Sequence, residues 1–148
     1  MTTLAVIMFL SLAGVAALHV AWGLGVLWPL EDERDLVALV IGETGRSRMP
    51  PLNQCLLAAI VIFSAGLIAL AAADLLHIAV SPDLVTAAGA LAALVFAGRG
   101  IAPYLPAWRR AFSQEPFATL DRSWYGPFCL LLAIAYTVMA VIRFWQLP

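Results

Sequence analysis

Six residues could do chemistry together if the fold brings them to one place: His19, Trp22, Arg99, Asp121, Arg122 and Tyr125. All sit in or beside long apolar runs, where an ionisable or hydrogen-bonding group is costly unless something uses or satisfies it. His19 and Trp22 are three residues apart in the stretch LHVAWGLGVLWP, residues 18 to 29, and so share one face of a helix. An imidazole there can serve as acid or base, or can donate to a carbonyl or hydroxyl on a neighbouring helix. Gly23 and Gly25 remove side chains beside the pair, which lets either a neighbouring helix or a ligand come close. Arg99 is flanked by glycines at the end of an apolar run. It is expected to snorkel to the headgroups; the alternative is to point into the bundle, binding an anion or pairing with Asp121.

Other groupings are weaker. Asp74 and His77 share a helix face, and Arg143 comes to the same level from the last apolar run, a set that suits a proton relay less well than an ion pair joining two helices. Cys55 and Cys129 sit near corresponding ends of their runs. They could form a thiol pair but are expected to act as small hydrophobes. His19 and His77 lie roughly 20 Å apart along the helix axes, which argues against a shared metal, and no metal ligand is assigned. No Gly-rich phosphate loop, haem motif or nucleophile elbow occurs, so no cofactor and no catalytic residue is named.

The elements that must position these groups follow from composition. The 148-residue chain is 64% hydrophobic and 11% charged, where soluble domains run at about 45–50% and about 25%. Its net charge of −1 offers no basic field for nucleic acid. Four runs are long enough for a bilayer core of roughly 30 Å: residues 4–28, 54–77, 82–98 and 125–147. Continuous runs of this length exclude barrel strands, so the expected fold is all-α: a polytopic membrane four-helix bundle, one domain over residues 1–148, with two cytoplasmic interfacial loops. The first run lacks a basic leader and a small-residue cleavage site, and is expected to be retained as a helix.

Seven of the eight arginines lie in the segments between the first and second and between the third and fourth runs. This asymmetry predicts that both segments are cytoplasmic and both termini external, in a bacterial inner membrane. All eight basic residues are arginine, which fits a GC-rich bacterial genome. The small-residue stripes Ala65, Ala69, Ala73 and Gly89, Ala93, Ala97 predict that the second and third spans form a tight hairpin, with a dimer face as the alternative. The first connection, LEDERDLVALVIGETGRSRMPPLN, has the acid start, apolar middle and glycine end of a short surface helix, either a lid or simple packing. In the second, Trp108 and Phe112 share one side of a short helix while arginines face headgroups.

LHVAWGLGVLWP, then VIGETGRSRMPP, and much later FATLDRSWYGPFCLLLA resemble a bacterial family of small four-span integral membrane proteins of unknown function. The motifs are H-x-x-W-G-x-G closing the first span and L-D-R-x-x-Y-x-P opening the last. The resemblance implies the fold and the membrane location, and no activity, cofactor or catalytic residue.

The expected function is binding of an amphipathic or anionic small molecule, lipid-like in character, in a cytoplasm-facing cavity between the helices lined by His19, Trp22, Arg99, Asp121, Arg122 and Tyr125. Membrane lipid is the expected partner. Two alternatives stay open: a small membrane enzyme with His19 as acid or base within reach of Asp121 or Tyr125, and a structural subunit of a homo-oligomer or larger membrane complex.

Overall fold

The computed structural model describes residues 1–77 and 79–145. It is all-helical among the described residues. Four long helices, each apolar enough to span a bilayer, carry the fold: α1 (Thr2–Gly23), α3 (Leu52–Ala72), α4 (Pro82–Ile101) and α7 (Gly126–Phe144). A 3₁₀ turn extends α4 to Tyr104, and α7 is preceded by α6 (Phe117–Leu120) and a π-helical turn (Asp121–Tyr125). Two short helices decorate the connections, α2 (Glu33–Val40) and α5 (Pro106–Ala111). Residues 146 and 147, which the sequence reading places at the end of the fourth span, lie outside the described residues.

The first span ends earlier than expected, at Gly23 rather than at residue 28. Gly25 adopts φ +86°, the Gly25 N–H donates to Trp22 O and the Val26 N–H donates to Ala21 O, a Schellman closure that terminates α1. Gly23 serves a different need: a Cβ there would come within 2.8 Å of Cys55 Cβ. The space cleared at Gly23 is therefore taken by α3, not by a ligand.

The long helices associate as two tight pairs, α1 with α3 and α4 with α7. α3 and α4 follow one another across the expected turn, with Ser81 capping α4, but they are not the tight pair. These two meet more sparsely, because the small residues of α3 are used against other helices. Gly66 lies under Phe9 and Leu12 of α1, and Phe9 packs on Phe63 with ring centroids 5.7 Å apart. Tyr136 of α7 reaches across the middle, fully buried, donating its hydroxyl to Ala65 O and stacking on Phe96 at 5.7 Å. A phenol in the apolar core thus finds the one partner it needs and ties three helices. Only 22% to 33% of each span's apolar window is buried. The remainder, including Leu10, Ile60, Leu94 and Leu131, is apolar surface of the kind that faces acyl chains.

At one end, Arg143 Nη1 of α7 donates to Asp74 Oδ1 (2.8 Å) and to Ala72 O (3.0 Å) at the C-terminus of α3. This is the helix-joining ion pair that the spacing suggested, and exposed His77 takes no part in it among the described residues. Asp74 itself occupies the left-handed position (φ 56°) that closes α3.

At the other end the two long connections fold onto each other as a cap. Asp32 caps α2 by accepting from the Arg34 and Asp35 N–H groups, and Leu36 and Val37 are fully buried. Past α2, the Thr44 N–H donates to Ala111 O, the Gln114 N–H to Gly42 O, and the Thr44 hydroxyl bonds Ser113. Gly42 (φ +67°) lies flat on the Phe117 ring, where any Cβ would collide. The first connection is thus a packed piece of the cap.

Candidate functional site

The cap covers a polar cluster at the junction of α4 and α7. Asp121 opens the π-turn and is 2% exposed. Arg99 Nη2 donates to its Oδ1 at 2.5 Å, and the Trp108 indole N–H donates to its Oδ2 at 2.9 Å. The Arg99 guanidinium carbon also lies 5.2 Å from the Trp108 ring centroid, a cation–π contact. Both carboxylate oxygens are therefore satisfied, as a buried charge requires. Arg99 keeps one guanidinium nitrogen, Nη1, buried with no hydrogen-bond partner among the described residues.

Arg99 was expected to snorkel; it turns inward. The physical reason is helix length. The glycines at 98 and 100 suggested an end at Gly98, but α4 continues to Ile101 and then Tyr104, which keeps Arg99 inside the helix body and beside Asp121. Gly100 is there for packing: a Cβ would stand 2.7 Å from Leu130 Cγ and 2.9 Å from Leu130 N of α7. Gly126 completes the close approach, since a Cβ on it would meet Asp121 O at 2.8 Å and Gly100 O at 3.2 Å. The π-turn itself, in which the Gly126 N–H reaches back to Asp121 O, inserts an extra residue and turns the Asp121 side chain toward α4 and α5.

Aromatic packing fixes the roof. Trp108 stacks on Phe112 at 4.2 Å, Phe112 meets Phe117 at 6.3 Å, and Phe117 meets Tyr125 at 5.8 Å. Tyr125 donates to Leu39 O at 3.3 Å, which fastens α2 to the cluster, and Tyr104 donates to Arg122 O at 2.9 Å. Beside this roof lies a partly open recess of about 180 Å³. Pro103, Trp108 and Phe112 form apolar wall, Asp121 lies in the lining, and Arg109, Arg122 and Glu115 supply charge. Neither Arg109 nor Arg122 makes an ion pair among the described residues.

Of the six residues singled out from the sequence, four meet here: Arg99, Asp121, Arg122 and Tyr125. His19 and Trp22 stand apart on α1, which packs mainly on α3. They are engaged locally. His19 Nδ1 donates to Val15 O of its own helix at 2.8 Å, Trp22 Nε1 donates to Trp28 O at 2.9 Å, and the two rings lie 5.3 Å apart. No hydrogen bond joins His19 to Asp121 or Tyr125 among the described residues, and the recess has no α1 residue in its lining. Cys55 and Cys129 are free thiols, Cys55 donating weakly to Pro50 O.

Sequence reasoning placed Trp108 with Phe112 on one side of a short interfacial helix and missed it as a hydrogen-bond donor to Asp121. A usable signal existed. An indole N–H at a partly buried position needs an acceptor, and the second connection offers only two carboxylates, Glu115 and Asp121.

These features define a class: an all-helical bundle of four helices long and apolar enough to cross a membrane, capped at one end over a buried Arg–Asp–Trp cluster. Residues 12–136 match the model of the family described as protein of unknown function (DUF3995), and the chain belongs to that family. It has no significant match among curated proteins or among solved structures.

Proposed function

We propose that this membrane protein binds the phosphate-bearing headgroup of a membrane amphiphile in the recess at its capped end, in a binding or accessory role. The observation that carries this reading is a pair of guanidiniums, Arg109 and Arg122, that make no ion pair among the described residues and stand on an aromatic-walled recess whose buried carboxylate, Asp121, is paired with Arg99. Two such guanidiniums favour a phosphate group, and apolar walls favour an amphiphile. Arg122 contacts the ligand with Arg109, while Arg99, Asp121 and Tyr125 hold floor and roof in place. The seven arginines of the two connections support placing the capped end in the cytoplasm and both termini outside.

An acid–base enzyme built on His19 draws no support from the geometry, since no hydrogen bond joins His19 to Asp121 or Tyr125 among the described residues, the Tyr125 hydroxyl is engaged by Leu39 O, and both Asp121 oxygens are taken. A subunit role is favoured by one feature, an apolar groove of about 400 Å³ between α4 and α7 lined by Ala97, Leu130, Ala133, Ile134, Thr137 and Val138. It suits a partner helix as well as an acyl chain.

The test is thermal unfolding of the purified protein in neutral detergent with a short-chain phospholipid added. The lipid is expected to raise the midpoint by several degrees in the native protein and not in the Arg109→Ala/Arg122→Ala double variant, as a ligand that binds only the folded state requires. An equal shift in both proteins defeats the reading.

A further inference from the structure

The recess shows charges of both signs that do not neutralise one another. Arg109 and Arg122 are exposed and make no ion pair among the described residues. Glu115 lines the same recess; its Oε2 accepts the Thr119 N–H at 3.1 Å, and its Oε1 has no donor among the described residues. A purely anionic ligand would satisfy the arginines while setting its charge beside that carboxylate. A purely cationic one would face two guanidiniums. A group carrying a phosphate and an ammonium together satisfies both.

Depth points to a lipid as the source. Tyr104, which donates to the carbonyl of the recess residue Arg122, and Trp124 are 48% and 70% exposed toward the capped ends of two helices long and apolar enough to span a membrane. Exposed tyrosine and tryptophan at helix ends mark the headgroup level. A recess there meets headgroups whose chains remain in the bilayer.

We infer that the recess recognises the zwitterionic headgroup of a phosphatidylethanolamine-type lipid, with the phosphate between Arg109 and Arg122 and the primary ammonium donating to Glu115. The inference deepens the proposed function and rests on it. A primary ammonium can donate hydrogen bonds to the carboxylate. The trimethylammonium of phosphatidylcholine has no N–H to give, so discrimination between the two is the signature of Glu115 taking part.

The experiment is native mass spectrometry of the full chain released from phosphatidylcholine nanodiscs containing equal minor fractions of phosphatidylethanolamine and phosphatidylglycerol. Phosphatidylethanolamine is expected to be retained roughly tenfold over each of the other two, the factor a single charge-assisted hydrogen bond supplies. Glu115→Gln should abolish the preference over phosphatidylcholine, and Arg109→Ala/Arg122→Ala should abolish lipid retention. Equal retention of all three lipids by the native protein, or an unchanged preference in Glu115→Gln, overturns the inference while leaving headgroup binding intact. No retention of any lipid by the native protein overturns both. The native-protein comparison needs no variant, so a misfolded substitution cannot obscure the result.

Discussion

Removing Arg99 and removing Asp121 should not cost the same, because the two partners differ in access to water. The Asp121 side chain is 3% exposed and the Arg99 side chain 31%. Arg99→Ala strands a buried carboxylate with one indole donor, a loss of about 3–5 kcal/mol by analogy with broken buried pairs. Asp121→Asn leaves a guanidinium that can swing toward water, and should cost about 1–3 kcal/mol. The Arg99→Leu/Asp121→Leu double variant should be more stable than Arg99→Ala alone, since it leaves no charge without a partner. Chemical unfolding in detergent followed by tryptophan fluorescence checks the order. If Asp121→Asn proves the more damaging, the cluster is not organised around a sealed carboxylate. The inward turn of Arg99 and its pairing with Asp121 were legible as the alternative, ranked second to snorkelling because its glycine neighbours read as a helix end. Only the packed partner, Leu130, shows why a glycine stands at position 100.

At the scale of elements, the glycines of α4 give a matched comparison. Gly98 has nothing within 4 Å of a built Cβ, whereas at Gly100 a Cβ strikes the side chain and backbone of Leu130. Gly98→Ala is expected to stabilise by up to about 1 kcal/mol through helix propensity alone. Gly100→Ala is expected to destabilise, because α4 and α7 must move apart. Thermal midpoints of the two variants decide it, and equal effects would mean that α4 and α7 do not approach as described. In the cap, Gly42→Ala combines a left-handed backbone with a clash against Phe117. It should loosen residues 105–120 toward faster amide exchange while leaving the four spans protected. The four long helices and the short α2 were legible from apolar run lengths and from the acid-to-glycine order of the first connection. Helix pairing was not. The alanine stripe on α3 announces that something comes close without saying which helix, and Phe9, Phe63 and Tyr136, spread across three helices, make that choice.

For the whole molecule, the two ends are held by different means. At the uncapped end Arg143, 11% exposed, joins α7 to the C-terminus of α3 through Asp74 and Ala72 O. Asp74 is 77% exposed, so Asp74→Ala should cost under about 1 kcal/mol in thermal stability. Arg143→Ala, which also deprives Ala72 O of its donor, should cost more. At the capped end, stability comes from the mutual docking of two connections that are 50 or more residues apart in the chain, as between Thr44 and Ala111. That docking builds the recess, and no local pattern could announce it. His19 and Trp22 drew notice because ionisable and aromatic groups are conspicuous in an apolar run. Arg122 and Asp121 were expected in a cavity, whereas Arg109 was left out of it because it looked like an ordinary interfacial anchor. The most direct measurement is an electron cryomicroscopy map of the protein in native-lipid nanodiscs, its size increased by a rigid binding partner on the uncapped end. Headgroup density between Arg109 and Arg122, over the Arg99–Asp121–Trp108 cluster, is the expected result. A recess filled by its own side chains, with lipid density beside His19 and Trp22 instead, would contradict it.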